Sequence, residues 1–260
     1  MKTHLIILIF LLSLGAVVST PTSALTSEEA ARKLEAMTWY TEEYPPYNYK
    51  GDDGLLTGIS VDILMAAFKK IGVGLTPGDI KIVPWNLSYK FIQKKPKTAL
   101  FSMTYSPERL AIIKFVGPVV PNNVSVIAPR KKEMGTLTAK DLGRLKLGVV
   151  RDDIGDQLLR KFAISNDVIQ RKNSLTQLLF LLHTGRVDAV VYSVVVFKHA
   201  MKQAGHNPNF YEEVMVLNKG WSGCAFHHST EPTTLAPLQA AIDELHADGT
   251  IKKIIDSYGD

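Results

Sequence analysis

Cysteine is nearly missing: Cys224 stands alone among 260 residues. No intrachain disulfide can form, and Cys224 belongs to no metal-site spacing. His227 and His228 are adjacent, and neighbours on a strand point to opposite faces, so they do not suggest a metal site. There is no Gly-rich phosphate loop. Ser222, in "GWSGC", lacks the Gly-x-Ser-x-Gly turn of a nucleophile elbow. Internal repeats and low-complexity linkers are absent. Basic residues outnumber acidic ones, 30 to 25, for a net charge of +5. They are dispersed, however, and the densest runs, "KFIQKKPK" and "PRKKE", read as solvated surface. No nucleic-acid partner is expected. Beyond the N-terminus no apolar run is long enough to cross a bilayer.

What is present begins with that N-terminus. "MKTHLIILIFLLSLGAVVSTPTSA" joins a Lys2-bearing start to an uncharged apolar run from Leu5 to Val18, then small residues ending at Ala24. The run suits a signal peptide and is short for a membrane span. Residues 1–24 are therefore expected to be a cleaved signal peptide. No cysteine follows to carry a lipid, so the expected location is the periplasm. Loss of Lys2 leaves a net charge of +4 on about 236 residues, enough for one large or two small domains.

Strand and helix patterns alternate along this remainder. "MTWYTEE", "KIVPW" and "TALFSM" read as strands. "SVDILMAAFKKIG" reads as a helix capped by Ser60, and "NLSYKFIQKK" as one opened by Asn86. A second unit starts near "TLTAKDLGRLKLGVV". It continues through a helix opened by Asp152 or Asp153 despite Gly155, the helix "SLTQLLFLLHTG" and the strand "VDAVVYS". Two short helices divided by Gly249 end the chain. Such alternation implies an α/β class with mostly parallel sheets, and ligand sites where strand C-terminal ends meet helix N-termini.

Two stretches occupy such positions. In "TYSPERLAII", Ser106 is the predicted N-cap and Pro107 the first helical residue, which puts Arg109 in the first turn. A cation there opposes the helix dipole by a few tenths of a kcal/mol. Either Arg109 pairs with Glu108 or another acid, or its planar fork awaits an external anion. Ser102 and Thr104 alternate with Met103, so one side of that strand end should carry hydroxyls. Tyr44 and Tyr47 flank a Pro-Pro pair that should hold their rings exposed, and Trp85 precedes a helix. The second stretch is Arg151, Asp152 and Asp153, where helix capping is the simpler reading of the paired acids. With Glu42 these are the candidate acids of an enzyme, but they form no recognisable catalytic set, so the expectation is a non-enzyme without cofactor or metal.

From Tyr44 onward the chain resembles the bacterial extracellular solute-binding proteins of family 3, the periplasmic polar amino-acid receptors of ABC importers. The segments that carry the likeness are "YPPYNYKGDDGLLTGISVDIL", "FSMTYSPERLAIIKFVGPV", "LGVVRDDIGDQLL", "LTQLLFLLHTGRVDAVV" and "LQAAIDELHADGTIKKIIDSY". The resemblance implies a two-lobed periplasmic-binding-protein (type II) fold with two crossover hinge strands. Lobe 1 would span 25–128 and 219–260, and lobe 2 would span 129–218. A small solute would be caged by hinge closure and passed, by a monomer, to a membrane ABC permease. Arg109 would clamp the ligand's α-carboxylate, with Ser102 and Thr104 as its polar neighbours and Tyr44 stacking on the ligand. Arg151, Asp152 and Asp153 would present backbone N–H groups. One position departs: where these receptors hold the α-ammonium with an aspartate, this chain has Ser193. Either Asp152 or Asp153 takes that role, or the ligand lacks the ammonium. Asp188 reads as structural. A dehydratase of cyclic carboxylates or a ligand-presenting sensory module are the alternatives this fold allows.

Overall fold

The structure, a computed structural model, describes residues 26–259; the expected signal peptide lies outside them. The chain builds α1 (Ser27–Glu35), β1 (Thr38–Thr41), the small hairpin β2 (Tyr49–Lys50) and β3 (Leu56–Thr57), α2 (Ile59–Ile71), β4 (Lys81–Ile82), α3 (Trp85–Lys94), β5 (Thr98–Thr104), α4 (Pro107–Leu110) and β6 (Ile113–Pro121). A second group follows: β7 (Val124–Pro129), α5 (Ala139–Leu142), β8 (Leu147–Val150), α6 (Ile154–Lys161), β9 (Ile169–Lys172), α7 (Leu175–His183), β10 (Ala189–Ser193), α8 (Val194–Gln203) and β11 (Tyr211–Asn218). The chain then returns through β12 (Trp221–His227), α9 (Pro232–Ala247) and α10 (Thr250–Ser257).

Two five-stranded sheets result, in the orders β4-β1-β5-β12-β6 and β11-β7-β10-β8-β9. The expected parallel pairing holds for β4, β1 and β5 and for β10, β8 and β9. It fails elsewhere. β12 runs antiparallel to both β5 and β6, and β7 antiparallel to both β10 and β11. The sheets are mixed because the chain crosses between them twice, near 122–123 and near 219–220, and each crossing delivers a strand in the opposite sense. The crossing near 122 also moves a boundary: residues 124–128, expected with the first lobe, form β7 in the second sheet.

Each sheet is covered by helices carrying apolar faces. In the first unit Trp39 is buried edge-on between Phe68 of α2 and Phe226 of β12, ring centroids 5.0 and 5.5 Å away. Its Nε1–H donates to the Leu34 carbonyl at 2.9 Å, so the one polar atom of the indole is satisfied. The second unit closes on Leu142, Val149, Leu159 and Val191. Helix starts differ in detail from the expectation. α2 begins at Ile59, with Gly58 as its cap at φ 122°, and the Ser60 hydroxyl is buried without a partner. A Cβ on Gly58 would lie 2.5 Å from the Tyr47 carbonyl oxygen, so the tight approach of that loop excludes a side-chain cap there. α3 starts at Trp85, after Pro84, rather than at Asn86. α9 is one long helix of 16 residues.

Candidate functional site

Strand ends of both sheets converge between the two units. α4 is a single turn, capped as predicted: the Ser106 hydroxyl accepts from the Arg109 N–H at 3.2 Å. That cap turns the Arg109 side chain back over the end of β5, where Nη1–H donates to the Thr104 carbonyl at 2.9 Å. The guanidinium lies 4.8 Å from the Trp85 ring and 5.2 Å from the Tyr89 ring, two rings stacked on each other. It also reaches the other unit. Nε–H donates to Gln157 Oε1 of α6 at 3.0 Å, and Nη2 stands 3.6 Å from Asp153 Oδ1 without a hydrogen bond of its own. Arg109 is 1% exposed.

The choice left open by the sequence therefore has a structural answer. Glu108 binds Lys161 of α6 at 2.7 Å, and Arg109 is met by an internal acid, Asp153. Asp153 caps α6, its Oδ1 accepting the Ile154 N–H at 2.6 Å. Burial pushes its carboxyl above the usual value, opposed by Arg109. Gly155 explains itself here: a Cβ would sit 2.6 Å from the Val191 carbonyl, so the small residue lets α6 dock on β10.

A hydrogen-bonded amide ties the crossing segment to both units. Asn122 Nδ2–H donates to Thr104 Oγ1 at 2.8 Å and to the Tyr44 hydroxyl at 3.2 Å, and its Oδ1 accepts from the Ser193 hydroxyl at 2.6 Å. Ser193 is thus committed to Asn122 of the crossing segment. Tyr44 and Tyr47, expected exposed, are both 4% exposed; Tyr44 packs on Tyr192 at 5.8 Å and Tyr47 donates to the Pro121 carbonyl at 2.8 Å.

Three expected site residues lie elsewhere. Ser102 takes φ 61° within a β-bulge against β12, which breaks the two-residue alternation with Thr104. Its hydroxyl lines an interior void of about 10 Å³ with Ser60 and Ser222, away from Arg109. Arg151 is exposed, and its N–H donates to the Lys172 carbonyl, closing β8 on β9 instead of offering itself to a ligand. Asp152 is exposed and turned toward Arg160. Asp188 is structural, as expected: it accepts from the Lys146 N–H at 2.8 Å and pairs with Lys132.

Beside the Arg109 cluster lies a cavity of about 350 Å³ between the units. Glu42, Val83 and Trp85 line it from the first; Val150, Ser174 and Tyr192 line it from the second. Volume and mixed lining are those of a small-molecule site. Glu42 follows β1, its backbone carbonyl held by Asn48 Nδ2–H at 2.6 Å. Burial, reinforced by the nearby Asp153 charge, drives its carboxyl well above the usual range. Sequence reasoning gave no role to Asn122, Gln157 or Tyr192. Only Gln157, one turn beyond the Asp153 cap, had a locatable signal.

Comparison with known proteins bears on this arrangement. The sequence model of the bacterial extracellular solute-binding proteins, family 3, matches residues 37–260. The L-cystine-binding protein TcyJ of Escherichia coli K12 is 25% identical over 216 residues, 83% of this chain and 79% of that protein. A substrate-binding protein of an ABC uptake transporter from Streptococcus pneumoniae, solved with bound histidine, superposes with TM-score 0.74 at 17% identity, covering 90% of this chain and 95% of that one. A histidine kinase sensor domain similar to periplasmic binding proteins gives TM-score 0.74 at 18% identity, covering 85% and 96%. The expected two-lobed periplasmic-binding-protein architecture is the one these structures share.

Proposed function

Because the chain belongs to family 3 of the bacterial extracellular solute-binding proteins, we propose that it captures a small carboxylate-bearing solute, an amino acid or relative, between two lobes and delivers it to a membrane ABC permease. The lobes would be the units around the two sheets, with the crossings at 122–123 and 219–220 as hinge. Export by removal of residues 1–24 and residence in the periplasm belong to the same reading.

One observation carries it: Arg109 is buried at the meeting of the two lobes, beside a cavity of about 350 Å³, with Nη2 unbonded. Its present counter-ion, Asp153, belongs to the other lobe. Opening the hinge would separate the pair and expose the guanidinium donors. An amino-acid zwitterion can then exchange partners with the pair, its carboxylate on Arg109 and its ammonium on Asp153. That exchange supplies the acid missing at Ser193 and avoids burying an unmatched charge. Thr104, Tyr44 and Ser193 act through Asn122 in this scheme, setting the hinge. Of a dehydratase's three candidate acids, Asp152 is exposed and Asp153 is paired with Arg109, which leaves Glu42 alone facing the cavity without a second acid to work with it.

Ligand-dependent thermal stabilisation tests the reading. A true ligand at 100 times its Kd should add about 2.7 kcal/mol, and Arg109→Ala should abolish the shift. A library of amino and organic acids that gives no shift across salt and pH would sink the proposal.

A further inference from the structure

A second cavity between the units shares no lining residue with the one beside Arg109 and is larger, about 520 Å³. Part of its wall is apolar: Ile59 and Val120 come from the first unit, Val194 and Val195 from the start of α8. Val195 is 43% exposed, so this apolar surface is open to water. Further along α8 the same face turns basic. Lys198 and Lys202 stand one helical turn apart, with half-buried His199 beside them. Among the described residues no aspartate or glutamate lines the cavity, and neither lysine has an acidic partner. Tyr258, also in the lining, donates its hydroxyl to Asp62 at 2.7 Å.

Like charges four residues apart repel along a helix and weaken it. His199 registers that field: burial and the Lys202 charge hold its ring below the usual imidazole pKa, leaving an uncharged N–H donor beside two cations at neutral pH. The contrast with the first cavity is chemical. There Arg109 stands with Asp153, a matched pair suited to a zwitterion; here cations stand alone over an apolar wall.

We propose that this cavity is a second binding site, for a small amphipathic anion whose carboxylate lies between Lys198 and Lys202 and whose hydrocarbon body covers Ile59, Val120 and Val194. A hydrated inorganic anion would leave the apolar wall wet, and a neutral hydrocarbon would leave the lysines unmatched. Only a ligand that joins the two parts answers both. Because the walls belong to both units, an occupant favours the arrangement that forms the cavity over any in which the units part.

Isothermal titration of the purified protein with sodium octanoate tests this, against acetate, which lacks the hydrocarbon body, and 1-octanol, which lacks the charge. Octanoate should bind at least about ten-fold more tightly than either. Lys198 and Lys202 are exposed, and glutamine suits a helix as well as lysine, so Lys198→Gln/Lys202→Gln should keep the fold. It should weaken octanoate by at least about ten-fold. Lys198→Arg/Lys202→Arg, which keeps both charges, should stay within about three-fold of the wild type. Intermolecular NOEs should run from the octanoate chain to the Val120 and Val194 methyls. NOEs to Val83 or Val150 instead would put octanoate beside Arg109 and overturn the second site. Octanoate no tighter than acetate or octanol, or a glutamine variant that binds it as well as the wild type, does the same. Protein that gives no octanoate heat but sediments with phosphatidylglycerol vesicles, or dimerises, would assign this face to a membrane or to a second copy. Octanoate binding that appears only once Asp260 is deleted would assign it to the chain's own end. Each of these results overturns the proposal.

Discussion

Replacing Arg109 by methionine keeps much of the side-chain volume against Trp85 and Tyr89 while deleting the charge. At the observed 3.6 Å, attraction to Asp153 is about 5 kcal/mol at an effective dielectric near 20. Desolvation of two buried groups offsets most of that, so the pair itself contributes little net stability. Removing one member is different. Asp153 would be left as a buried, uncompensated carboxylate, and such half-removals cost about 3–5 kcal/mol. The protein has one escape: Asp153 belongs to the second unit, so parting the units rehydrates it. Arg109→Met should therefore lower stability in urea by about 3–5 kcal/mol, or enlarge the radius of gyration in small-angle scattering, or do both in part. Asp153→Asn should cost less, about 1–3 kcal/mol, because the guanidinium keeps the Thr104 carbonyl and Gln157. The double variant should be less damaged than the sum, with a coupling energy of about 1–3 kcal/mol. Additive losses with unchanged dimensions would refute the reasoning, since Arg109 would then not be holding Asp153.

Two further outcomes follow from local geometry. Gly155→Ala should improve helix propensity by up to about 1 kcal/mol, yet the 2.6 Å approach of its Cβ to the Val191 carbonyl should win; a net loss of about 1–3 kcal/mol is expected by thermal unfolding, and a net gain would mean α6 does not dock as described. Glu42→Gln should alter the pH profile of stability. A carboxyl whose folded pKa is raised holds a proton the unfolded chain has released, so its contribution is intact below about pH 4.3 and is lost as pH climbs through the folded value. Glutamine does not ionise, so the variant should match the wild type near pH 4 and exceed it by about 1–3 kcal/mol at pH 7. A gap independent of pH would contradict this.

The cap at Ser106, the turn at Pro107 and the position of Arg109 were all legible, because they follow from short-range backbone chemistry. A cap at Asp152 or Asp153 was legible too, and the structure gives it to Asp153. Ser102 was misplaced because strand alternation assumes no bulge, and a left-handed φ on a serine has no compositional signature. The exposure expected for Tyr44 and Tyr47 failed for another reason: Pro-Pro stiffens a loop but does not say what packs on it, and the covering residues, Asn122 and Tyr192, arrive from the crossing segment and the second sheet. Pairing of Arg109 with Asp153 likewise joins residues of different sheets, and no periodicity in either segment encodes it. Mixed sheet polarity escaped because local patterns mark strands without their direction.

The seat of β12 has a consequence for the order in which the chain can fold. β5 and β6 do not pair with each other; residues 221–227 fill the slot between them. The second sheet, by contrast, is drawn from one continuous stretch, 124–218. As synthesis proceeds, that inner stretch can complete its sheet while the half built earlier still has an open seam. The seam must wait for a strand about a hundred residues downstream of β6, and such distant closures are slow. Delayed closure leaves the leading half pliant until residues 221–227 have been made.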